Sequence, residues 1–212
     1  NPESQALMVN ALSALSSSFS ILFLFWTITA LGVKLLGGQD KLDNASTIAV
    51  LGAGALGALA YTFSDSFWFS AVEGEVYAMS SFFTAAAFWA VLKWEQAVDH
   101  DPYANKWLLL IAYLVGLSVG VHILVFLTIP AIGMIYYFKK YPNPTRNGFI
   151  IANGASIAVL GLVFAFIIPI VLKLFSTLEI YFVNNFGLPF HSGTIAASLI
   201  LTAAVVFGIL WT

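Results

Sequence analysis

Long apolar runs separated by short polar stretches dominate the sequence. An α-helix needs about 20 apolar residues to cross roughly 30 Å of hydrocarbon. The first runs predict spans over Ala6 to Leu36, Thr47 to Tyr61 and Phe67 to Trp94. The second of these is short and rich in glycine and alanine, and such small residues allow membrane helices to pack closely.

The second half of the chain is less regular. The long apolar run from Trp107 to Phe138 fits either one strongly tilted helix or two short helices. A further span is predicted over Gly148 to Leu174, and a mixed aromatic loop over Phe175 to Ser192. The last predicted span begins near Gly193.

The positions of the basic residues favour two short helices in the ambiguous run. All but one of the eight basic residues fall at three places: Lys34 and Lys41; Lys93 and Lys106; and Lys139, Lys140 and Arg146. Basic loops prefer the cytoplasm, so an even number of crossings should separate each pair of clusters. The run from Trp107 to Phe138 then forms a hairpin with its apex near Gly120, Val121 and His122 on the outer side. This gives about seven spans, although a single tilted helix remains the alternative.

Composition supports the same fold class. Hydrophobic residues are 60% of the chain and charged residues only 8%, and the mean hydropathy is +0.94. A soluble domain carries about 25% charged residues. We therefore predict an all-α, polytopic transmembrane helical bundle, with residues 1–212 forming one transmembrane domain.

Charge and cysteine content exclude several kinds of partner. The net charge of −2 gives no basic face for nucleic acid. The chain has no cysteine, which excludes disulfides and thiolate metal sites.

Asn1 and Pro2 resemble a helix N-cap followed by proline at the first helical position. Both ends of the sequence resemble cuts, so we expect a fragment of a longer protein.

The segment from Thr62 to Tyr77 contains the most informative polar residues. It places Asp65, Glu73, Glu75 and Tyr77 near the outer start of a membrane helix. The acidic residues either compensate the helix dipole or line a polar cavity open to the outer leaflet. In a continuous helix, residues two apart are rotated by about 200°, so Glu73 and Glu75 would not share a site.

Periodicity favours Glu73 over Glu75 for a cavity. Glu73 shares a helix face with Tyr77 and Ser80, whereas Glu75 lies on an apolar face and needs a partner from another helix. His122 lies inside an apolar run. Its side chain either bonds a neighbouring backbone carbonyl or faces the same outer cavity and contacts an anionic or hydroxyl-rich ligand.

Two motifs resemble a known family. The run WFSAVEGEVYAMSSFF, with its Glu75-Val76-Tyr77 core, and the glycine-rich segment from Gly116 to His122 resemble a bacterial family of large membrane proteins, common in Bacteroidota. That family is related to a vertebrate transmembrane protein O-mannosyltransferase, and the resemblance extends over the whole chain.

The resemblance implies a glycosyltransferase of the GT-C type in the bacterial inner membrane. Its donor would be a sugar linked to polyprenyl phosphate on the periplasmic side, in contact with membrane lipid. The acceptor would be a polypeptide or a glycan. No definite cofactor is implied, no metal ligands are assigned, and a divalent metal is left open.

The resemblance also assigns roles to residues. It favours Glu75 over Glu73, and it makes Glu75, Tyr77 and His122 supporting groups of the donor cavity, with Glu73 and Asp65 as further candidates. The catalytic base is expected before residue 1, in a loop with an Asp-Cys-Gly-Glu-like motif that this sequence does not contain. The alternatives are a structural or accessory subunit, or a transporter, which needs more ionisable groups at mid-membrane than the spans provide.

Overall fold

Helices joined by short turns make up the described part of the protein. The computed structural model describes residues 2–211, which contain helices and turns but no strand. The helices are α1 (Pro2–Leu35), α2 (Asn44–Thr62), α3 (Asp65–Val72), α4 (Val76–Ala97), α5 (Lys106–Ser118), α6 (Thr128–Lys140), α7 (Arg146–Leu162), α8 (Ile168–Phe186) and α9 (Ser192–Trp211). The predicted all-α fold class is confirmed. The expected N-cap, Asn1, lies outside the described residues.

Five helical stretches among the described residues are long and apolar enough to cross a membrane, and two shorter apolar helices accompany them. The chain is therefore a helical membrane protein, while the count of about seven spans stays a prediction. It divides into two compact units, Asn1–Ser156 and Ile157–Thr212.

Helices α1 and α4 form the centre of the first unit. Three pairs of side chains meet along them in the same order: Phe19 with Phe82, Trp26 with Trp89, and Lys34 with Glu95. The two helices therefore run parallel. Small side chains fill their buried faces, chiefly Ser13, Ser17 and Ser20 on α1 and Ala78, Ala87 and Ala90 on α4. Small residues of this kind allow close helix packing without a hydrophobic driving force.

Helix α2 runs antiparallel to α1 and begins earlier than predicted. Asp43 is its N-cap, and the carboxylate accepts a hydrogen bond of 2.7 Å from the backbone N–H of Ser46. This bond satisfies one of the free N–H groups of the first turn, so the helix starts at Asn44 rather than Thr47. The cap also lowers the pKa of Asp43, first through the Ser46 side chain and then through its backbone N–H.

The predicted third span, Phe67 to Trp94, is wrong as a single helix. The structure divides it into α3 and α4, with Glu73, Gly74 and Glu75 in a turn between them. Glycine has the lowest helix propensity apart from proline. The two flanking acidic residues are exposed to solvent, which further favours an irregular turn here.

The predicted hairpin over Trp107 to Phe138 is confirmed. Helix α5 ends at Ser118, and the chain turns before a short 3-10 segment, Ile123–Leu127, leads into α6. The far end of α6 returns to the start of the hairpin, because Lys139 of α6 forms an ion pair of 2.6 Å with Asp99. A single tilted helix is therefore excluded.

The charged end of the first unit gathers basic residues from the three predicted clusters. Lys34 pairs with Glu95, Lys106 with Asp101, and Lys139 with Asp99. The hydrogen bond from Lys139 is the main cause that lowers the pKa of Asp99. The side of the membrane on which this end lies stays a prediction from the positive-inside rule.

The second unit contains an antiparallel pair, α8 and α9. The predicted loop Phe175 to Ser192 is wrong over most of its length, because α8 continues to Phe186. The helix ends at Gly187, whose φ of 63° is the left-handed conformation that glycine adopts without strain. Only the five residues from Gly187 to His191 connect the two helices.

Candidate functional site

The turn between α3 and α4 positions the acidic candidates. The Glu75 N–H donates a 2.9 Å hydrogen bond to the carbonyl of Glu73, which closes a three-residue turn around Gly74. A Cβ at Gly74 would lie 2.8 Å from Cγ1 of Val9. The turn therefore packs closely against α1, and a larger residue at this position would have to displace the Val9 side chain.

The two glutamates are not separated as periodicity predicted. The helix break invalidates the argument that they point in opposite directions. Both are exposed, and among the described residues neither carboxylate takes part in a hydrogen bond or ion pair. Glu75 is the N-cap residue of α4, but its side chain forms no capping bond. No contact therefore distinguishes Glu73 from Glu75.

Asp65 lies apart from the glutamates. It is the first residue of α3 and is exposed. The length of α3 places it roughly 10 Å of helix away from Glu73. Its position fits compensation of the α3 dipole, and the structure brings it into no contact with Tyr77 or His122.

Tyr77 and His122 are the candidate residues that the structure brings together. Their ring centroids are 5.4 Å apart, with 46° between the ring planes. Tyr77 lies in the first turn of α4 and is 48% exposed, and His122 lies half-buried at the apex of the hairpin. The Glu-Val-Tyr segment and the histidine turn therefore meet at one end of the first unit.

The hydrogen bond of His122 assigns the tautomer of its neutral ring. Nδ1 accepts a bond of 3.2 Å from the backbone N–H of Leu124. An imidazole nitrogen that accepts a bond carries no proton, so the ring proton of the neutral form is assigned to Nε2. The histidine thus accepts from the backbone rather than donating to a carbonyl, and its Nε2–H is the group that can donate to a ligand.

A groove extends from Tyr77 into the membrane part of the first unit. Its volume is about 730 Å³, and it lies between α1, α2, α4 and the second arm of the hairpin. No charged side chain is among the described residues that line it. The lining residues are Ser20, Leu24, Thr27, Ile28, Gly57, Tyr61, Tyr77, Ser80, Ser81, Thr84, Ala85, Phe88, Leu124, Leu127, Thr128 and Ala131.

The hydroxyl groups of this groove were largely missed by sequence reasoning. Ser81 and Thr84 continue the stripe that begins with Tyr77 and Ser80, with the three-to-four residue spacing of one helix face. That spacing was available in the sequence as a signal. The contribution of Ser20 from α1 was not, because it depends on how α1 packs against α4.

Metal ligands are not concentrated at this site. In the part of the chain that the structure describes, no three His, Asp or Glu side chains form a group suited to a metal ion. The chemistry available from the described side chains is hydrogen bonding by Tyr77 and His122, together with the two exposed carboxylates nearby in sequence.

Comparison with known proteins identifies a family. The sequence model of the family described as protein O-mannosyl-transferase TMEM260 N-terminal domain matches residues 1–145. The match includes Glu75, Tyr77 and His122. No curated protein matches the chain. No solved structure matches it either.

Proposed function

The chain belongs to the protein O-mannosyl-transferase TMEM260 N-terminal domain family, and from this membership we propose that it is the membrane core of a GT-C-type glycosyltransferase. The proposed donor is a sugar linked to polyprenyl phosphate. The proposed acceptor is a hydroxyl group of a polypeptide or glycan. We place the reaction at the periplasmic face of a bacterial inner membrane, because the basic end of the first unit should face the cytoplasm.

The groove supports a lipid-linked donor by its length and chemistry. From Tyr77 to Phe88 it follows about 16 Å of α4 at 1.5 Å per residue. The hydrocarbon core is about 30 Å thick, so the groove extends through roughly one leaflet. A lining without charge suits an isoprenoid chain, which cannot compensate a buried charge.

The end of the groove supports binding of the donor phosphate. Tyr77 offers a phenolic O–H and His122 offers Nε2–H, and both can donate to phosphate oxygens. The first N–H groups of α4 lie in the same turn as Tyr77, and the side chain of Glu75 caps none of them. Free N–H groups at a helix start favour an anion through the helix dipole.

The proposed reaction exchanges one bond at the anomeric carbon. The acceptor oxygen forms the new glycosidic bond, the bond from the anomeric carbon to the phosphate oxygen breaks, and polyprenyl phosphate leaves. A carboxylate within reach of the acceptor hydroxyl must take its proton. We assign Glu75, Tyr77 and His122 to the cavity around the reacting atoms, and none of them to that base.

The pairing of Tyr77 with His122 at the end of an uncharged groove is the observation on which this proposal depends. We expect His122→Ala and Tyr77→Phe to lower sugar transfer about tenfold to a hundredfold, because a hydrogen bond to a charged group contributes about 1.5–3 kcal/mol. The measurement is transfer from a synthetic polyprenyl-phosphate mannose by the full-length protein in proteoliposomes.

Tyr113→Phe is the matched control, because Tyr113 lies on α5, is exposed and does not line the groove. It should leave transfer unchanged. Glu75→Gln and Glu73→Gln form a second matched pair. Because the resemblance to the family rests on the Glu75-Val76-Tyr77 motif and no contact separates the two residues, we expect only the first to lower transfer. Normal transfer by both His122→Ala and Tyr77→Phe would refute the assignment of the donor phosphate to this site.

A further inference from the structure

A second cavity lies at the charged end of the first unit, between α1, α2 and α4. Its volume is about 490 Å³. Its polar side chains are those of Thr29, Gln39, Thr47, Lys93 and Gln96, and the remaining walls are mainly apolar. Lys93 lies 16 residues after Tyr77 on α4, which is roughly 24 Å along the helix axis. No described residue lines both this cavity and the groove of the proposed transferase site, so the two are distinct.

Lys93 is the only charged residue among the described residues that line this cavity. Its ammonium group lies 5.7 Å from the centre of the Trp89 ring. In the described part of the chain it forms no ion pair with a carboxylate. The half-buried lysine therefore has an aromatic neighbour but no counter-ion.

In an adjoining cavity of about 620 Å³, the lysines that line it have carboxylate partners. It is lined by Lys34 and Lys139, which pair with Glu95 and Asp99. The protein thus neutralises these two lysines with its own carboxylates and leaves Lys93 without one. A half-buried cation near hydrocarbon is costly unless an anion accompanies it.

The cavity also borders the lipid-facing surface. Trp26 and Leu51 belong to its lining and are 38% and 48% exposed, respectively. Both are apolar and lie on helices long enough to span a membrane. A molecule bound here would therefore contact polar groups at one end and surrounding lipid at the other.

We propose that this cavity binds the phosphate-bearing headgroup of an anionic membrane phospholipid. Lys93 contacts the phosphate, Gln39 and Gln96 offer amide N–H groups, and the acyl chains leave along Trp26 and Leu51. A free phosphate ion would satisfy Lys93 but would leave the apolar walls without a partner. An amphipathic ligand satisfies both parts of the cavity.

The test measures lipid retention by native mass spectrometry of the purified protein in detergent micelles that contain phosphatidylglycerol or phosphatidylcholine with identical acyl chains. We expect preferential retention of phosphatidylglycerol. Lys93→Gln should lower that retention about fivefold or more, since one lysine near an anionic lipid contributes about 1 kcal/mol. Lys93→Arg should preserve it.

Lys41→Gln is the matched control. It removes the same charge from the same end of the protein, but Lys41 lines neither cavity. Equal losses in Lys41→Gln and Lys93→Gln would overturn the proposal, as would equal retention of the two lipids. Inorganic phosphate that competes as well as phosphatidylglycerol would overturn the assignment to a lipid.

A measurement on the unsubstituted protein covers the case in which Lys93→Gln does not fold. Bromine atoms on the acyl chains of a bound lipid quench nearby tryptophans, and Trp26 and Trp89 both line the cavity. Brominated phosphatidylglycerol should quench more fluorescence than brominated phosphatidylcholine at the same mole fraction. Equal quenching by the two lipids would contradict the proposal.

Discussion

Glu179 of α8 caps the neighbouring helix α9. Its carboxylate accepts hydrogen bonds from the backbone N–H groups of His191 at 2.6 Å and Thr194 at 2.8 Å, and from the Thr194 hydroxyl at 3.1 Å. The first N–H groups of a helix have no partner within the helix, and here a side chain from another helix satisfies them. The start of α9 is thereby fixed against α8.

Gly193 allows this close contact between α8 and α9. Addition of a single methyl group at this position tests the contact. A Cβ at Gly193 would overlap the backbone of Leu178 and Glu179. Backbone atoms cannot move aside as a flexible side chain can. We expect Gly193→Ala to lower the free energy of unfolding by about 1–3 kcal/mol, the usual cost of overpacking, as measured by SDS titration in mixed micelles.

Gly161→Ala is the control in the same unit. Gly161 is helical and a Cβ there meets nothing within 4 Å. Alanine is favoured over glycine in a helix by up to about 1 kcal/mol, so stability should stay equal or rise. A stable Gly193→Ala variant would show that α8 and α9 approach less closely than the structure indicates.

At the residue scale, the sequence predicted that Tyr77 and His122 lie at the same end of the first unit. The positions of the basic residues determined how many times the chain crosses the membrane between them. The sequence could not rank Glu73 and Glu75. That comparison assumed a continuous helix, and Gly74 breaks it. The capping of α9 by Glu179 could not be predicted either. The sequence pattern placed this residue in a loop, and its hydrogen-bond partners depend on how the two helices pack.

At the scale of single helices, those of the first unit pack against each other through small residues. Helix α2 shows this most clearly. A Cβ at Gly54 would lie 2.6 Å from Cγ2 of Thr29 and 3.1 Å from Cδ2 of Phe25, both on α1. Contact at this distance requires glycine. The high glycine and alanine content that predicted close packing of this span is therefore explained by a specific interface.

This interface predicts different outcomes for two glycines in the same helix. Gly54→Ala should lower the free energy of unfolding by about 1–3 kcal/mol because α1 and α2 must separate. Gly52→Ala should have no such effect, since a Cβ at Gly52 meets nothing within 4 Å. SDS titration of both variants provides the measurement, and equal losses would argue against the α1–α2 contact.

Hydrophobic patterning predicted the existence of the helices better than their ends. The end of α8 was placed too early because Asn184 and Asn185 resemble loop residues. In the structure both belong to the helix, and the left-handed Gly187 ends it. Capping residues therefore decided the boundaries, whereas the length of each apolar run decided only that a helix was present.

At the scale of the first unit, its two ends have different chemistry. One end contains the ion pairs of Lys34, Lys106 and Lys139. The other contains Tyr77, His122 and the exposed glutamates. The positive-inside rule predicts that the first end faces the cytoplasm, and this prediction would orient the unit in the membrane.

Single cysteines can test this orientation, because residues 1–212 contain none. Glu73→Cys and Tyr103→Cys introduce thiols at exposed positions near opposite ends; Tyr103 is 76% exposed. In spheroplasts, a membrane-impermeant maleimide should label the first directly and the second only after lysis. Labelling of the unsubstituted protein gives the background, and labelling of both thiols above that background in intact spheroplasts would contradict the assigned orientation.

The short first arm of the α5–α6 hairpin has a consequence for the surrounding bilayer. Helix α5 has 13 residues and is therefore roughly 20 Å long, about 10 Å less than the hydrocarbon thickness. A helix this short is accommodated when the lipid next to it becomes locally thinner. The membrane surface above His122 should then be depressed. Water and a hydrophilic chain would reach the histidine from outside, while the bilayer around the longer helices keeps its normal thickness.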